Sequence, residues 1–486
     1  MAATDPDQGG AASERADPDP RRWRALALLC GLQFMILMDT TAANVALPRI
    51  QADLGFSEAG LTWVVNGYVL MAGGLLLLGG RMADLLGRRR LLLTGVVLFA
   101  VFSAMVGAAT GPASMVVGRF GQGAAEAIAA PASLGIVALI FPDADERIKA
   151  LGVWSGLMAL GGTLGYVVSG VLTDMATWRW IFFVNVPVAL AVLVFLPRLV
   201  AESRMTRTTG GRLDIAGAVG ITAGALALVA GLLRAADRPW TAPDVLVPLV
   251  AGVTLLAGVP AVERRATSPL VPPGFFANRT RTVAYAASLF LAAAFVSYAF
   301  VLTLFMQHVL GWSPLSGGLA WVPLGLSIGA GIALGTTLSP RFGVRAVTAT
   351  ALFGAAAGLL LASTLHVGDG YLAGLLPGMV LFGVCAGASM PTTTSAALHG
   401  VTGQDSGLAS GVQSTVQQLG GAVGLAVLIP LAVRHAQSAL AAGIAPDVAS
   451  ASGYALALRA GAVLAMLGGL LVLGLFERHP AGDHGM

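Results

Sequence analysis

The chain is 486 residues long, 56% hydrophobic and only 11% charged, with a formal charge of +4. A soluble domain is about 25% charged, so a water-soluble globular enzyme is excluded, and a disordered chain is excluded except at the ends. The two cysteines, Cys30 and Cys385, sit in apolar runs and read as small hydrophobic residues, not as a disulfide or a metal site. The basic residues come in short clusters between apolar stretches, a topology signal and not a nucleic-acid signal.

A helix needs about 20 apolar residues to cross a bilayer. Such stretches run at about 25–47, 61–80, 91–110, 114–140, 151–171, 179–197, 214–233, 244–262, 282–306, 316–338, 346–365, 371–397, 407–432 and 454–476. The first is too long for a cleavable signal and continues straight into a polar motif. These spans predict an all-α membrane protein with 14 transmembrane helices. An even count puts both termini on one side. With that side cytoplasmic, the inner segments carry Arg15, Arg21, Arg22 and Arg24, then Arg81, Arg88, Arg89 and Arg90, then Arg147 and Lys149. They go on to carry Arg198, Arg204, Arg207 and Arg212, then Arg264, Arg265, Arg279 and Arg281, then Arg341, Arg345 and Arg478. The outer segments carry Arg49, Arg179, Arg234, Arg238 and Arg434. This bias predicts a multi-pass protein of the cell membrane with both termini cytoplasmic. No loop is longer than about 20 residues, and no Gly-x-x-x-x-Gly-Lys-Ser/Thr loop occurs, so no nucleotide partner is expected.

The segment Leu160–Gly165, LGGTLG, returns as LGGAVG at Leu419–Gly424. The loop GGRMADLLGRRR from Gly79 shares a Gly-x₇-Gly-x-Arg frame with GTTLSPRFGVR from Gly335. Spans 1–6 and 9–14 therefore read as two parallel six-helix repeats with two helices inserted between them. The expected parts are an N-terminal tail over 1–24 and a first bundle over 25–200. The inserted helices with their linkers follow over 201–281, then a second bundle over 282–476 and a tail over 477–486. Parallel repeats around an axis along the membrane normal are one transporter plan, with the site between the halves.

Charge inside a span is costly, so each case is informative. Asp39 and Glu126 are the carboxylates well within apolar stretches. A carboxyl that is neutral when shielded and charged when wet suits proton coupling; the alternative is that Asp39 bonds Thr40 or Thr41 and orders packing. Glu126 follows Arg119 by two helical turns on one face, so a pair, or a triad with Asp39, is expected, either as coupling machinery or as a structural ion pair. In the 80–90 loop, Asp84 pairs with arginines or caps a helix end, while Gly80 and Gly87 permit a tight turn. A gate on the cytoplasmic face accounts for these residues and for Arg88; a simple positive anchor accounts only for the arginines. Gln33, Asn44, Asn66, Gln413 and Gln417 are substrate-contact candidates, or interhelical glue. No catalytic constellation, metal-ligand spacing or cofactor motif appears, so the chain is not expected to be an enzyme.

Four segments resemble motifs of the major facilitator superfamily, in its fourteen-helix drug:proton antiporter branch. Gly80-Arg81-Met82-Ala83-Asp84-Leu85-Leu86-Gly87-Arg88-Arg89-Arg90 resembles the loop motif between helices 2 and 3. Met38 to Pro48, MDTTAANVALP, resembles the helix 1 motif; Gly118 to Gly123, GRFGQG, resembles the helix 4 motif; and Trp178 to Pro187, WRWIFFVNVP, resembles the entry to helix 6. In the helix 5 antiporter motif, Tyr166 stands where proline is expected, so its kink is absent. The resemblance implies two half-bundles rocking around a midplane cavity, with Arg119 tied to proton or substrate handling. It implies proton-coupled efflux of a drug-like small molecule or antibiotic, with export of a self-made antibiotic such as a β-lactam among the options. A proton-coupled importer or uniporter would share this fold.

Overall fold

A computed structural model describes residues 21–476, apart from 142, 203–213, 237, 267, 268, 365, 367–369, 400 and 402–405. Arg15, Arg204, Arg207, Arg212, Arg478 and nearly all of the two expected tails lie outside the described residues. The helices are α1 (Arg22–Leu54), α2 (Glu58–Leu86), α3 (Arg88–Gly107), α4 (Pro112–Ile140), α5 (Ala144–Met175), α6 (Trp180–Leu199) and α7 (Ile215–Arg234). They continue as α8 (Pro243–Arg265), α9 (Arg279–Val309), α10 (Pro314–Phe342), α11 (Val344–Ala362), α12 (Tyr371–Ala397), α13 (Ser406–Ala441) and α14 (Pro446–Leu475). Among the described residues 12 of them are long and apolar enough to cross a membrane. The remaining two, α4 and α5, have 29 and 32 residues. Helices suit such a chain because lipid offers no hydrogen bonds to an open backbone.

Several helix ends are set locally. Ser57, Ser313 and Asn278 accept the backbone N–H three residues on and start α2, α10 and α9. Gly55 closes α1 in the left-handed conformation at φ +73°. Gly87 and Gly343 do matching work: each has positive φ with extended ψ, and each ends one helix and begins the next without a spacer.

The packing of the first six helices recurs in the last six. α1 lies on α5, α2 and α3 both lie on α4, and α6 backs α1 and α3; likewise α9 lies on α13, α10 and α11 lie on α12, and α14 backs α9 and α11. Glycines make these contacts close. On α5, Gly161 and Gly165 face Phe34, Met38 and Thr41 of α1; on α13, Gly420, Gly421 and Gly424 face Leu289, Val296 and Ala293 of α9. The two LGG segments therefore do the same job. The loop arginines also correspond. Arg89 donates to the Val200 carbonyl at the end of α6, at 2.9 Å, and Arg345 donates to the Leu473 carbonyl at the end of α14.

The two halves meet along α2 against α13, where Gly73 lies on Gln418, and along α5 against α10, where Gly318 lies on the Tyr166 backbone. Gln307 of α9 also donates to the Val45 carbonyl of α1 at 2.8 Å. Helix α7 packs on α8 and covers the seam between α2 and α13, with Thr222 against Gly74. α8 turns Val247 and Val250, 66% and 62% exposed, outward as a lipid-facing surface would.

Gly80 does not make the turn expected of it. It is helical within α2, and a Cβ there would meet only Pro131 at 3.7 Å. Its neighbour Gly79 is the constrained one, because a Cβ would strike the Ala127 carbonyl of α4. Gly79→Ala is expected to lower the thermal unfolding midpoint in detergent, by an overpacking cost of about 1–3 kcal/mol, whereas Gly80→Ala leaves it unchanged. Equal midpoints for the two variants would show that the α2–α4 contact is not set by this approach.

Candidate functional site

The centre of the first bundle holds a hydrogen-bonded set of polar side chains from α1, α3, α4 and α6, joined by a backbone carbonyl of α2. Asp39, near the middle of α1, is fully buried, and Arg119 of α4 is 1% exposed. The Arg119 Nη1 donates to Asp39 Oδ2 at 2.5 Å and to Gln122 Oε1 at 2.9 Å, and its Nε donates to the Val64 carbonyl of α2 at 2.8 Å. The guanidinium also lies over the Tyr68 ring at 4.3 Å, a further contact for a desolvated cation.

The other carboxylate oxygen is held from two sides. Asn185 Nδ2 donates to Asp39 Oδ1 at 2.7 Å, and Gln122 Nε2 donates to the same atom at 3.1 Å. Gln122 also donates to Ser103 Oγ of α3 at 2.7 Å. Asn185 opens the second piece of α6, after a short turn of helix at Trp180–Phe183. That break lets a residue from the start of a helix reach the middle of the bundle. A buried ion pair is costly to desolvate and holds only when its remaining atoms are hydrogen-bonded, as here.

Glu126 stands apart from this pair. Arg119 makes its ion pair with Asp39, and among the described residues no ion pair joins Arg119 to Glu126. Glu126 Oε2 is buried without a hydrogen-bond partner, and so is the Tyr68 hydroxyl. Asp39, Arg119 and Tyr68 are the groups that act on Glu126 electrostatically, and the Tyr68 hydroxyl comes near it without a hydrogen bond of ordinary geometry. Tyr68 thus spans from the paired arginine to the unpaired acid.

At the arginine-rich end, Arg88 Nη2 pairs with Asp84 Oδ1 at 2.8 Å, and Arg88 Nη1 donates to the Gly135 carbonyl of α4 at 3.1 Å. The Glu202 carboxylate accepts from the backbone N–H groups of Arg89 and Arg90, at 3.1 Å each. It caps the positive start of α3. Through Asp84, the Gly135 carbonyl and Glu202 just past α6, the loop clamps α2, α3, α4 and α6 together.

The substrate-contact candidates divide. Asn44 Nδ2 is taken by the Thr40 carbonyl at 3.1 Å, and Gln413 Nε2 by Ser288 Oγ at 2.7 Å. Asn66 is fully buried, and neither its amide nitrogen nor its oxygen has a partner. Gln33 is 9% exposed, and Gln417 is half-buried on α13. Gln122 and Asn185 stand inside the segments that resemble the helix 4 and helix 6 motifs, whereas Ser103 lies in no such segment. Their signal was polarity inside an apolar span, which is weaker than charge. Among the described residues no group of histidine, cysteine and acid side chains is placed to hold a metal ion.

Comparison with known proteins follows the same lines. The family model described as Major Facilitator Superfamily matches residues 29–425. A puromycin resistance protein of Streptomyces alboniger is 37% identical over 85% of this chain and 82% of its own length. A cephamycin export protein of Amycolatopsis lactamdurans is 37% identical over 87% of both chains. Among solved structures, a bacterial homologue of the human lysosomal transporter Spinster, inward-facing and unoccupied, superposes with a TM-score of 0.66 at 16% identity, over 94% of this chain and 97% of the other. The last likeness shows the fold alone. With its helices, its loop clamp and these matches, the chain belongs to the major facilitator superfamily and is a multi-pass membrane transporter.

Proposed function

We propose that this protein exports an antibiotic or similar drug-like molecule across the bacterial cytoplasmic membrane in exchange for protons. Two relatives of similar length are a puromycin resistance protein and a cephamycin export protein, which supports efflux and keeps a β-lactam among the candidate cargoes. The arginine-rich end, with Arg88, Arg89, Arg90 and Arg345, is the cytoplasmic one, and both termini lie there. In this reading α4 and α5 complete fourteen spans. Helices α1–α6 and α9–α14 are the two repeats, and α7 and α8 are the inserted pair. The matching roles of the two LGG segments, of Gly87 and Gly343, and of Arg89 and Arg345 support that arrangement.

The observation that carries proton coupling is the buried Asp39–Arg119 pair at 2.5 Å. When Asp39 takes a proton, its attraction to Arg119 falls. Arg119 keeps Gln122, the Val64 carbonyl and the Tyr68 face, so the cation stays bound while the α1–α4 link weakens. Glu126, with one carboxylate oxygen unpartnered beside Tyr68, is the second proton-accepting group. A change in one charge thus alters how α1 is held to α4, and differential stability of this kind is what a ligand or proton needs to shift between two states. The Asp84–Arg88 clamp serves gating by keeping the first bundle rigid as it moves. Gln33, Asn66 and Gln417 are the remaining candidates to face the cargo.

Inverted membrane vesicles, acid inside, test this reading with puromycin and a cephamycin as probes. The wild type is expected to release protons from the lumen when a probe is added, and Asp39→Asn, purified as folded protein, to abolish the release. Arg119→Lys is expected to slow transport at least about tenfold, because a lysine cannot hold Asp39 and the Val64 carbonyl together. Proton release undiminished in Asp39→Asn would remove Asp39 from the coupling path, and probe movement down its gradient without proton release would replace antiport by uniport. Asp84→Asn is expected to cost well under about 1 kcal/mol of stability, since the pair is half-exposed, yet to reduce transport in the same assay. Unchanged transport would make the clamp an anchor only.

A further inference from the structure

The two halves also meet through an aromatic cluster that the proton-coupling groups do not use. Tyr166 of α5 stacks on Trp321 of α10, with ring centroids 4.8 Å apart and planes 17° apart. Tyr298 of α9 meets the Trp321 ring edge-on at 6.1 Å and the Phe382 ring of α12 at 4.6 Å. Trp321 occupies the turn between the two pieces of α10, Pro314–Ala320 and Val322–Phe342. All four side chains are buried.

Two features set this cluster apart from ordinary packing. The Tyr298 hydroxyl and the Trp321 indole N–H are buried and have no hydrogen-bond partner, although buried tyrosine and tryptophan normally find one. The indole N–H can only donate, so it calls for an acceptor. The stack also joins opposite halves, along the close α5–α10 contact at Gly170 and Gly318. Any movement that parts α5 from α10 separates the two rings and leaves two parallel aromatic faces with two donors beside them. The rings packed on Tyr298 are those of Trp321 and Phe382, which carry no charge.

We propose that Tyr166, Trp321 and Tyr298 form a slot that takes a flat, uncharged aromatic ring system bearing oxygen acceptors, as part of the exported molecule. The inference rests on the export reading above and names the class of cargo for it. When the halves part, the ring stacks on the freed Tyr166 face with its edge toward Trp321, so that its oxygens accept from the in-plane indole N–H and from the Tyr298 hydroxyl. Tyr166 accordingly replaces the proline of the helix 5 motif with a recognition surface.

Three probes test the slot in wild-type protein in lipid nanodiscs and in inverted vesicles. Doxorubicin has a flat ring system with quinone and phenol oxygens, ethidium has a flat ring system without oxygens, and a cephamycin is not flat. Tyr166→Leu is expected to weaken doxorubicin binding about tenfold by removing the stacking face. Trp321→Phe and Tyr298→Phe keep the rings and remove one donor each, and each is expected to weaken doxorubicin binding about threefold to tenfold while leaving ethidium unchanged. Unaltered thermal midpoints of the two phenylalanine variants identify the effect as recognition. Doxorubicin binding equal in wild type and all variants overturns the slot and leaves export standing. Movement of the cephamycin alone also overturns the slot with export intact. Movement of none of the three probes by folded protein overturns the slot together with the export reading.

Discussion

One buried ion pair organises the first bundle. Asp39 and Arg119 have 0% and 1% of their surface exposed, and every carboxylate oxygen of Asp39 is bonded, by Arg119, Gln122 or Asn185. That set ties α1, α3, α4 and α6 to one another. Removing either charge strands the other in a low-dielectric interior, at a cost of about 3–5 kcal/mol. Every group bonded to the Asp39 carboxylate is a donor, so a proton added there displaces one of these bonds and weakens the ion pair as well.

Around this centre the architecture depends on glycine more than on hydrophobic complementarity. Lipid provides no drive for helices to associate through apolar faces, so close backbone approach and shared hydrogen bonds do the work. Gly161 and Gly165 on α1, Gly79 on α4, and Gly420 and Gly424 on α9 all place backbone against backbone. The same contacts appear in both halves, together with the paired turns at Gly87 and Gly343. Helix α7 rests on the α2–α13 seam and packs on α8.

Much of this was legible in the sequence, and for physical reasons. Apolar length marks helices in a membrane protein, and isolated charges such as Asp39 and Arg119 stand out in apolar runs because they are expensive there. The motif around Gly87 was readable since a positive φ there requires glycine. Other features were not. Arg119 and Glu126 share a helix face, and spacing allows either their pairing or a triad with Asp39; Asp39 on another helix takes the arginine. Spacing describes one helix, whereas the choice of partner is tertiary. Gln122 and Asn185 were hidden because uncharged polar residues inside spans are common. Gly80 was misread for the same reason that Gly79 was overlooked: only the position of Ala127 tells them apart. Tyr166 looked like the loss of a kink, while its stack on Trp321 depends on a residue 155 positions away in the chain.

The central claim is that the acids of this site exchange protons. Infrared difference spectra between acid and alkaline pH, recorded on ligand-free protein in lipid nanodiscs, measure it directly through the carbonyl stretch of a protonated carboxyl. The account predicts a shielded carboxyl band in the wild type, with one component lost in Asp39→Asn and another in Glu126→Gln. A spectrum that neither substitution alters would contradict it.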